Sequence, residues 1–103
     1  MKRGTYILVV GPSGSGKNTL IRAACEAIPG LKVAISATTR AMREGEADGV
    51  SYHFLTTPEF MRRVDAGAFL EWAEYGGNLY GTLRAEIDPA IDAGQVILSD
   101  IEL

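Results

Sequence analysis

Seven consecutive residues, Gly11-Pro12-Ser13-Gly14-Ser15-Gly16-Lys17, have the types and spacing to hold a phosphate group. The glycines let successive backbone N–H groups curl toward one point, a helix that follows adds the positive end of its dipole, and Lys17 can reach the outer phosphates. Such a loop usually continues with a hydroxyl residue that meets a magnesium ion. Here Asn18 stands in that place and Thr19 follows it. The Asn18 carbonyl oxygen is a hard donor of altered reach, so it is the metal-ligand candidate, a doubtful one. Further along, Arg40 and Arg43 can clamp a monophosphate with planar forks of donors, and the hydroxyls of Tyr52 and Tyr80 can add to them.

These residues need elements to position them. Thr5 to Val10 is an unbroken β-branched and apolar run, as a strand covered on both faces of a parallel sheet requires. From Lys17, apolar residues recur at Leu20, Ala23, Ala24, Ala27 and Ile28, a helical stripe that includes Cys25 as core and stops at Pro29-Gly30. Lys32 to Ala37 predicts a second strand. A polar loop from Thr38 to Val50 follows, long enough to be functional rather than a mere connection.

Ser51 to Leu55 is a further short strand. Thr57-Pro58-Glu59 then supplies a cap, a helix-starting proline and an acidic first turn for a helix ending near Ala66. Phe69 to Tyr75 and Asn78 to Leu83 flank Gly76-Gly77 and predict a hairpin, with Phe69 and Trp72 as packing residues. A helix lies between Arg84 and Ala93, its start as late as Pro89, which suits only a first turn. Val96 to Leu103 predicts a buried strand whose acidic residues, Asp100 and Glu102, sit at its C-terminal end.

Composition narrows the classes. The 103 residues are 47% hydrophobic and 22% charged, which supports one domain with one shared core. A net charge of −3 is the reverse of a nucleic-acid footprint, and no apolar run is long enough for a membrane span or a leader despite the basic Met1-Lys2-Arg3 start. Cys25 is the one cysteine, so no intrachain disulfide and no thiolate zinc cluster can form. A reducing cytoplasm is the expected setting. His53 has no partner visible in the sequence and is assigned no role.

Four blocks, the glycine-rich loop, Ser36-Ala-Thr-Thr-Arg-Ala-Met-Arg43 running on to Tyr52, Phe69-Leu-Glu-Trp-Ala-Glu-Tyr75 and Gly77-Asn-Leu-Tyr-Gly-Thr-Leu-Arg84, together resemble guanylate kinase from about Thr5 to the last residue. The chemistry fits the resemblance. Ionised Glu71 only accepts hydrogen bonds and so matches the N1–H and N2 amino donors of guanine, while Ser36 and Thr82 hydroxyls can donate to O6. The resemblance implies a P-loop α/β core, residues 1–37 and 84–103, with an inserted mixed α+β subdomain at 38–83 that binds GMP. It also implies ATP on residues 11–19, a Mg²⁺ ion, and GMP held by Ser36, Arg40, Arg43, Tyr52, Glu71, Tyr80, Gly81, Thr82, Asp100 and Glu102, with Lys17, Arg40 and Arg43 in the transfer itself. Glu102 stands where the family usually has Asp.

Guanylate kinases continue with a mobile lid and further arginines, so the expectation is an N-terminal portion that ends after its last core strand. Two other functions remain open: a nucleotide-binding piece without turnover, and a guanylate-kinase-like module that binds protein partners. The intact Lys17 and its glycines speak against the module. A relative acting on a sugar phosphate would lack the guanine-reading set of Glu71, Ser36 and Thr82.

Overall fold

The computed structural model describes residues 4–12 and 16–103, which form two compact units, Met1–Ala34 with Ile87–Leu103 and Ile35–Glu86. In chain order the elements are β1 (Thr5–Gly11), α1 (Lys17–Ala27), β2 (Lys32–Ala34), β3 (Ala37–Thr38), β4 (His53–Phe54), α2 (Thr57–Asp65), β5 (Phe69–Tyr75), β6 (Asn78–Leu83), α3 (Arg84–Asp92) and β7 (Val96–Glu102). No helix among the described residues is long and apolar enough to cross a membrane.

The first unit is built on a parallel sheet in the order β1-β7-β2. Its buried strand is β7, where Ile97, Leu98, Ser99 and Ile101 are nearly or fully inaccessible. β1 corrects the expectation of two covered faces. It pairs only with β7 in this sheet, and its alternate residues Leu8 and Val10 remain 36% and 37% exposed. The helix α1 has the expected extent, yet its apolar stripe is only partly covered: Ala24 and Ile28 are half-buried, but Leu20 is 61% exposed, Ala23 and Ala27 are exposed, and so is Cys25, expected in the core. Helical periodicity states which side chains share a face, not whether another surface covers that face.

The predicted strand Lys32–Ala37 is two strands in two sheets. Val33 pairs with Leu98 in the first unit, whereas Ala37 pairs with Gly81 and His53 in the second. Propensity cannot see which partner a strand finds, so one apolar run conceals the crossing. α3 has the expected extent, Arg84–Asp92, but it starts at the early limit and carries Pro89 in its interior rather than in its first turn. Proline removes the bond to the carbonyl of residue 85 and crowds that carbonyl, a cost confined to the first two turns of a short helix.

The second unit is a mixed four-stranded sheet in the order β4-β3-β6-β5, parallel between β3 and β4 and antiparallel elsewhere. The hairpin β5–β6 turns where expected, on Gly76 and Gly77, whose φ values of 58° and 83° only glycine adopts readily. α2 is capped by Thr56 rather than Thr57; the Thr56 hydroxyl accepts the Glu59 N–H, and Pro58 lies in the first turn.

One irregularity decides what the sheet presents. Phe69 pairs with Leu83, but Glu71 pairs with Thr82, so a bulge at Leu70 shifts the register. Two residues apart on a regular strand, Phe69 and Glu71 would share a face. With the bulge, Phe69 joins Leu83, Gly81 and Trp72 on the side packed by Phe60 of α2, and Glu71 joins Ala73, Tyr80 and Thr82 on the other. The packed side is tight. Phe60 is fully buried and stacked on Phe69 at 4.4 Å, and a β-carbon at Gly81 would lie 2.7 Å from the Phe69 ring. Trp72 is 44% exposed, meeting Phe60 only edge-on, so it packs less than expected.

Candidate functional site

In the first unit, the parallel register sets Asp100 beside Val9 and Glu102 beside Gly11, at the end of β1 where the glycine-rich segment begins. Gly16, at φ 87°, turns the chain into α1, and the helix start has no side-chain cap. A helix N-terminus without a side-chain cap favours an anion. Lys17, the first helical residue, is buried, and its ammonium meets the Asp100 carboxylate. Ser13, Gly14, Ser15 and the Asn18 side chain lie outside the described residues, so the phosphate cradle and the metal-ligand candidate are known here only from sequence. Pro12 and Thr19 are exposed.

The second unit gathers the other candidates. Tyr52 and Tyr80 are buried with ring centroids 6.3 Å apart, and Tyr75 lies 5.8 Å from Tyr80. Glu71 and Thr82 face each other across β5 and β6, two residues along from the pair Ala73 and Tyr80. That juxtaposes a carboxylate and a hydroxyl on the face that carries Tyr80. Ser36, immediately before β3, is buried, and its hydroxyl has no partner among the described residues.

Arg40 follows β3 and is 7% exposed. Its guanidinium carbon lies 5.0 Å from the Tyr52 ring centroid and 5.8 Å from that of Phe54, within cation–π range. Glu46 takes both terminal nitrogens at 2.9 Å, while Nε is buried with no partner among the described residues. Hydrogen bonding to Glu46 raises the Arg40 pKa further, against the opposing effect of burial. The same fork is the main cause that lowers the Glu46 carboxyl to about 2. Arg43 is exposed, and its backbone N–H also donates to Glu46.

The loop that carries these residues is tied down locally. Thr38 Oγ1 donates to the Leu79 carbonyl and accepts the Arg40 N–H, and Thr39 Oγ1 accepts the Leu79 N–H. Asp48 accepts the Phe54 N–H, and the Tyr52 carbonyl accepts the Gly49 N–H, which closes the turn presenting Tyr52.

Thus Ser36, Arg40, Arg43, Tyr52, Glu71, Tyr80, Gly81 and Thr82 all belong to the second unit, and Lys17, Asp100 and Glu102 to the first. Gly81 is on the face packed by Phe60, where it serves close approach. Asp100, expected beside the acceptor nucleotide, is bound to Lys17. Sequence reasoning missed Glu46, which stands among the similar acids Glu44 and Asp48 at a spacing of six from Arg40 that follows no helical or strand period. It also missed Phe54 and the partner of His53, whose Nε2 lies 2.9 Å from Glu86 Oε1.

The family model for guanylate kinase matches residues 2–103. The chain belongs to the guanylate kinase family. Among curated relatives, the guanylate kinase of Rubrobacter xylanophilus is 52% identical over 103 residues, all of this chain and 54% of that protein. That of Symbiobacterium thermophilum is 47% identical over 100 residues, 97% of this chain and 47% of its own. The crystal structure of guanylate kinase from Anaplasma phagocytophilum superposes with a TM-score of 0.77 at 33% identity, covering 97% of this chain and 50% of that one. The α/β fold expected from the strand, glycine-rich loop and helix is therefore the guanylate kinase fold. The chain spans about half the length of the relatives it matches.

Proposed function

We propose that this chain carries the acceptor site and part of the donor site for ATP-dependent phosphorylation of GMP to GDP. The observation that carries the proposal is the paired face of β5 and β6, where Glu71 stands opposite Thr82 beside buried Tyr80, in a chain of the guanylate kinase family. Glu71 accepts the N1–H and N2 amino donors of guanine, and the Thr82 and Ser36 hydroxyls donate to O6. Adenine offers no such donor pair. Arg40 and Arg43, with the Tyr52 and Tyr80 hydroxyls, hold the monophosphate.

The donor residues fall in 1–37 with 84–103 and most acceptor residues in 38–83, with Ser36 just before them and Asp100 and Glu102 in the last strand; Lys17 leaves Asp100 to neutralise the outer ATP phosphates. A GMP phosphate oxygen attacks the γ-phosphorus in line, the bond from that phosphorus to the bridging oxygen breaks, and ADP departs. Mg²⁺ would spread the charge on the transferring group. Asn18 and Asp100 are the residues of this chain that would hold it, since both offer the hard oxygen donors the ion prefers. Bulk charge and the absence of a long apolar run favour a cytoplasmic protein without nucleic-acid or membrane partners.

A second function, GMP binding without turnover, is supported by the placement of nearly the whole acceptor set in a unit with its own core. One assay separates the two: ADP formation by the purified chain with Mg²⁺ and ATP, comparing GMP with AMP. Saturable turnover with GMP alone is expected. Silence with retained GMP binding establishes the second function, and equal response to AMP removes Glu71 from base recognition.

A further inference from the structure

Glu46 touches both arginines of the acceptor set. Its Oε1 accepts from Arg40 Nη1 and its Oε2 from Arg40 Nη2, each at 2.9 Å, and Oε1 also accepts the Arg43 backbone N–H at 2.7 Å. Arg40 Nη1 donates to the Ala41 carbonyl as well, at 3.0 Å. One carboxylate thus ties the side chain of the first arginine to the backbone of the second. The terminal end of the guanidinium is taken by Glu46 and Tyr52 also hydrogen-bonds the group, but Nε, on the side edge, is buried with no partner among the described residues. A buried donor in that condition calls for an explanation. An anion with two oxygens in one plane pairs with a guanidinium edge of this kind.

We propose that Glu46 is the positioning residue of the acceptor phosphate site, holding Arg40 by its terminal fork and Arg43 by its backbone so that the Nε edge of Arg40 is aimed at a phosphate oxygen. This rests on the assignment of Arg40 and Arg43 to GMP. A long side chain fixed before the ligand arrives loses less entropy on binding, and the rings of Tyr52 and Phe54 leave the guanidinium little room to rotate once the fork is made. The cost is a negative charge near a phosphate dianion. Positioning and competition therefore predict opposite signs when Glu46 is neutralised.

The test uses the full chain, with GMP and guanosine as probes in calorimetric titrations and NMR of the arginine side chains as the second readout. Wild type is expected to bind GMP more tightly than guanosine. Glu46→Gln presents an amide donor to a guanidinium donor and breaks the fork. It should weaken GMP by roughly ten- to a hundredfold, the range for losing hydrogen bonds between charged groups, and leave guanosine unchanged. Glu46→Asp keeps the charge but not the reach for both nitrogens, so it should recover part of the loss. The Arg40 terminal N–H signals should be distinct in the free wild type and averaged in Glu46→Gln.

Equal weakening of GMP and guanosine overturns the proposal, because Glu46 then only supports the fold. Unchanged or tighter GMP binding also overturns it, the latter making Glu46 a competitor of the phosphate. Should Glu46→Gln not fold, Glu46→Asp carries the same comparison. Wild type that binds GMP and guanosine alike overturns the acceptor assignment itself, an outcome distinct from the others because no variant enters it.

Discussion

The two units bury their apolar surface to different degrees. In Ile35–Glu86, Phe60 and Ala37 are fully buried, with Phe69 and Leu83 closing around them. In the other unit β7 and Ile87 of α3 are buried, but Leu8, Val10, Leu20 and Val33, on its strands and helix, are all at least 36% exposed, whereas two of the three exposed large apolar residues of the second unit, Met42 and Val50, lie in its loop. Each has polar chemistry at its edge, the Arg40–Glu46 fork in one and the Lys17–Asp100 pair in the other. The difference teaches that a site's geometry is only as well supported as the apolar packing behind it. Glu71, Tyr80 and Thr82 lie on a sheet backed by Phe60 and Phe69, whereas the helix carrying Lys17 turns much of its apolar stripe to solvent.

The strongest way to break this contrast is Phe60→Ala. Removing a fully buried aromatic ring should cost about 3–5 kcal/mol, read by urea denaturation followed through circular dichroism and the fluorescence of Trp72, which meets Phe60 edge-on. A cost below that of an exposed substitution would show that the second unit is not packed as described. Lys17→Ala comes next. Phosphoryl transfer should fall by on the order of a hundred- to a thousandfold, as when one donor to a transition-state charge is lost, while GMP affinity measured by titration stays the same. Parallel loss of both would mean that the substitution unfolds the chain rather than emptying the donor site.

Acid sharpens the comparison at smaller scale. Glu46 has its folded pKa lowered to about 2 from 4.5, so between these values the unfolded chain binds more protons than the folded one. The stability from the Arg40–Glu46 fork is therefore complete above pH ~4.5 and is lost as pH falls toward ~2. Glu59 is lowered to about 2 as well, by hydrogen bonds from Arg62 and Arg63, but that cluster is solvent-screened. In 1 M salt the slope of urea midpoint against pH should persist in wild type and flatten in Glu46→Gln; equal slopes would deny the fork a part in stability. Smallest is Leu20→Ala, expected within about 0.5 kcal/mol by the same denaturation. A cost like that of Phe60→Ala would place Leu20 in a core after all.

Much of this was legible in the chain. The Gly76-Gly77 hairpin, the start of α1 at Lys17 and the strand from Val96 follow from turn chemistry, a helix signal and an apolar run, each of which acts over a few residues. The division of Lys32–Ala37 between two sheets was not legible, because strand propensity is silent about partners. Nor was the exposure of Cys25 and Leu20, since a stripe is a property of one helix and burial a property of its surroundings. The GMP candidates could be named from residue type and order, and the structure gathers Ser36, Arg40, Tyr52, Glu71, Tyr80 and Thr82 into one unit. Glu46 could not be named, because among neighbouring acids only the folded loop selects the one that meets Arg40.

Sequence alone determined the chemistry available: a glycine-rich loop ending in Lys17, two arginines with two tyrosines, and an acceptor-only carboxylate at Glu71. Residue type sets charge, donor count and local turn preference, and these need no partner to be read. Tertiary structure decided which of them act together. The bulge at Leu70 separates Phe69 from Glu71 and turns Glu71 toward Thr82, and the fold of the 39–52 loop brings Glu46 to Arg40. Register and loop closure depend on contacts between residues distant in the chain, and their energies are settled only when those residues meet.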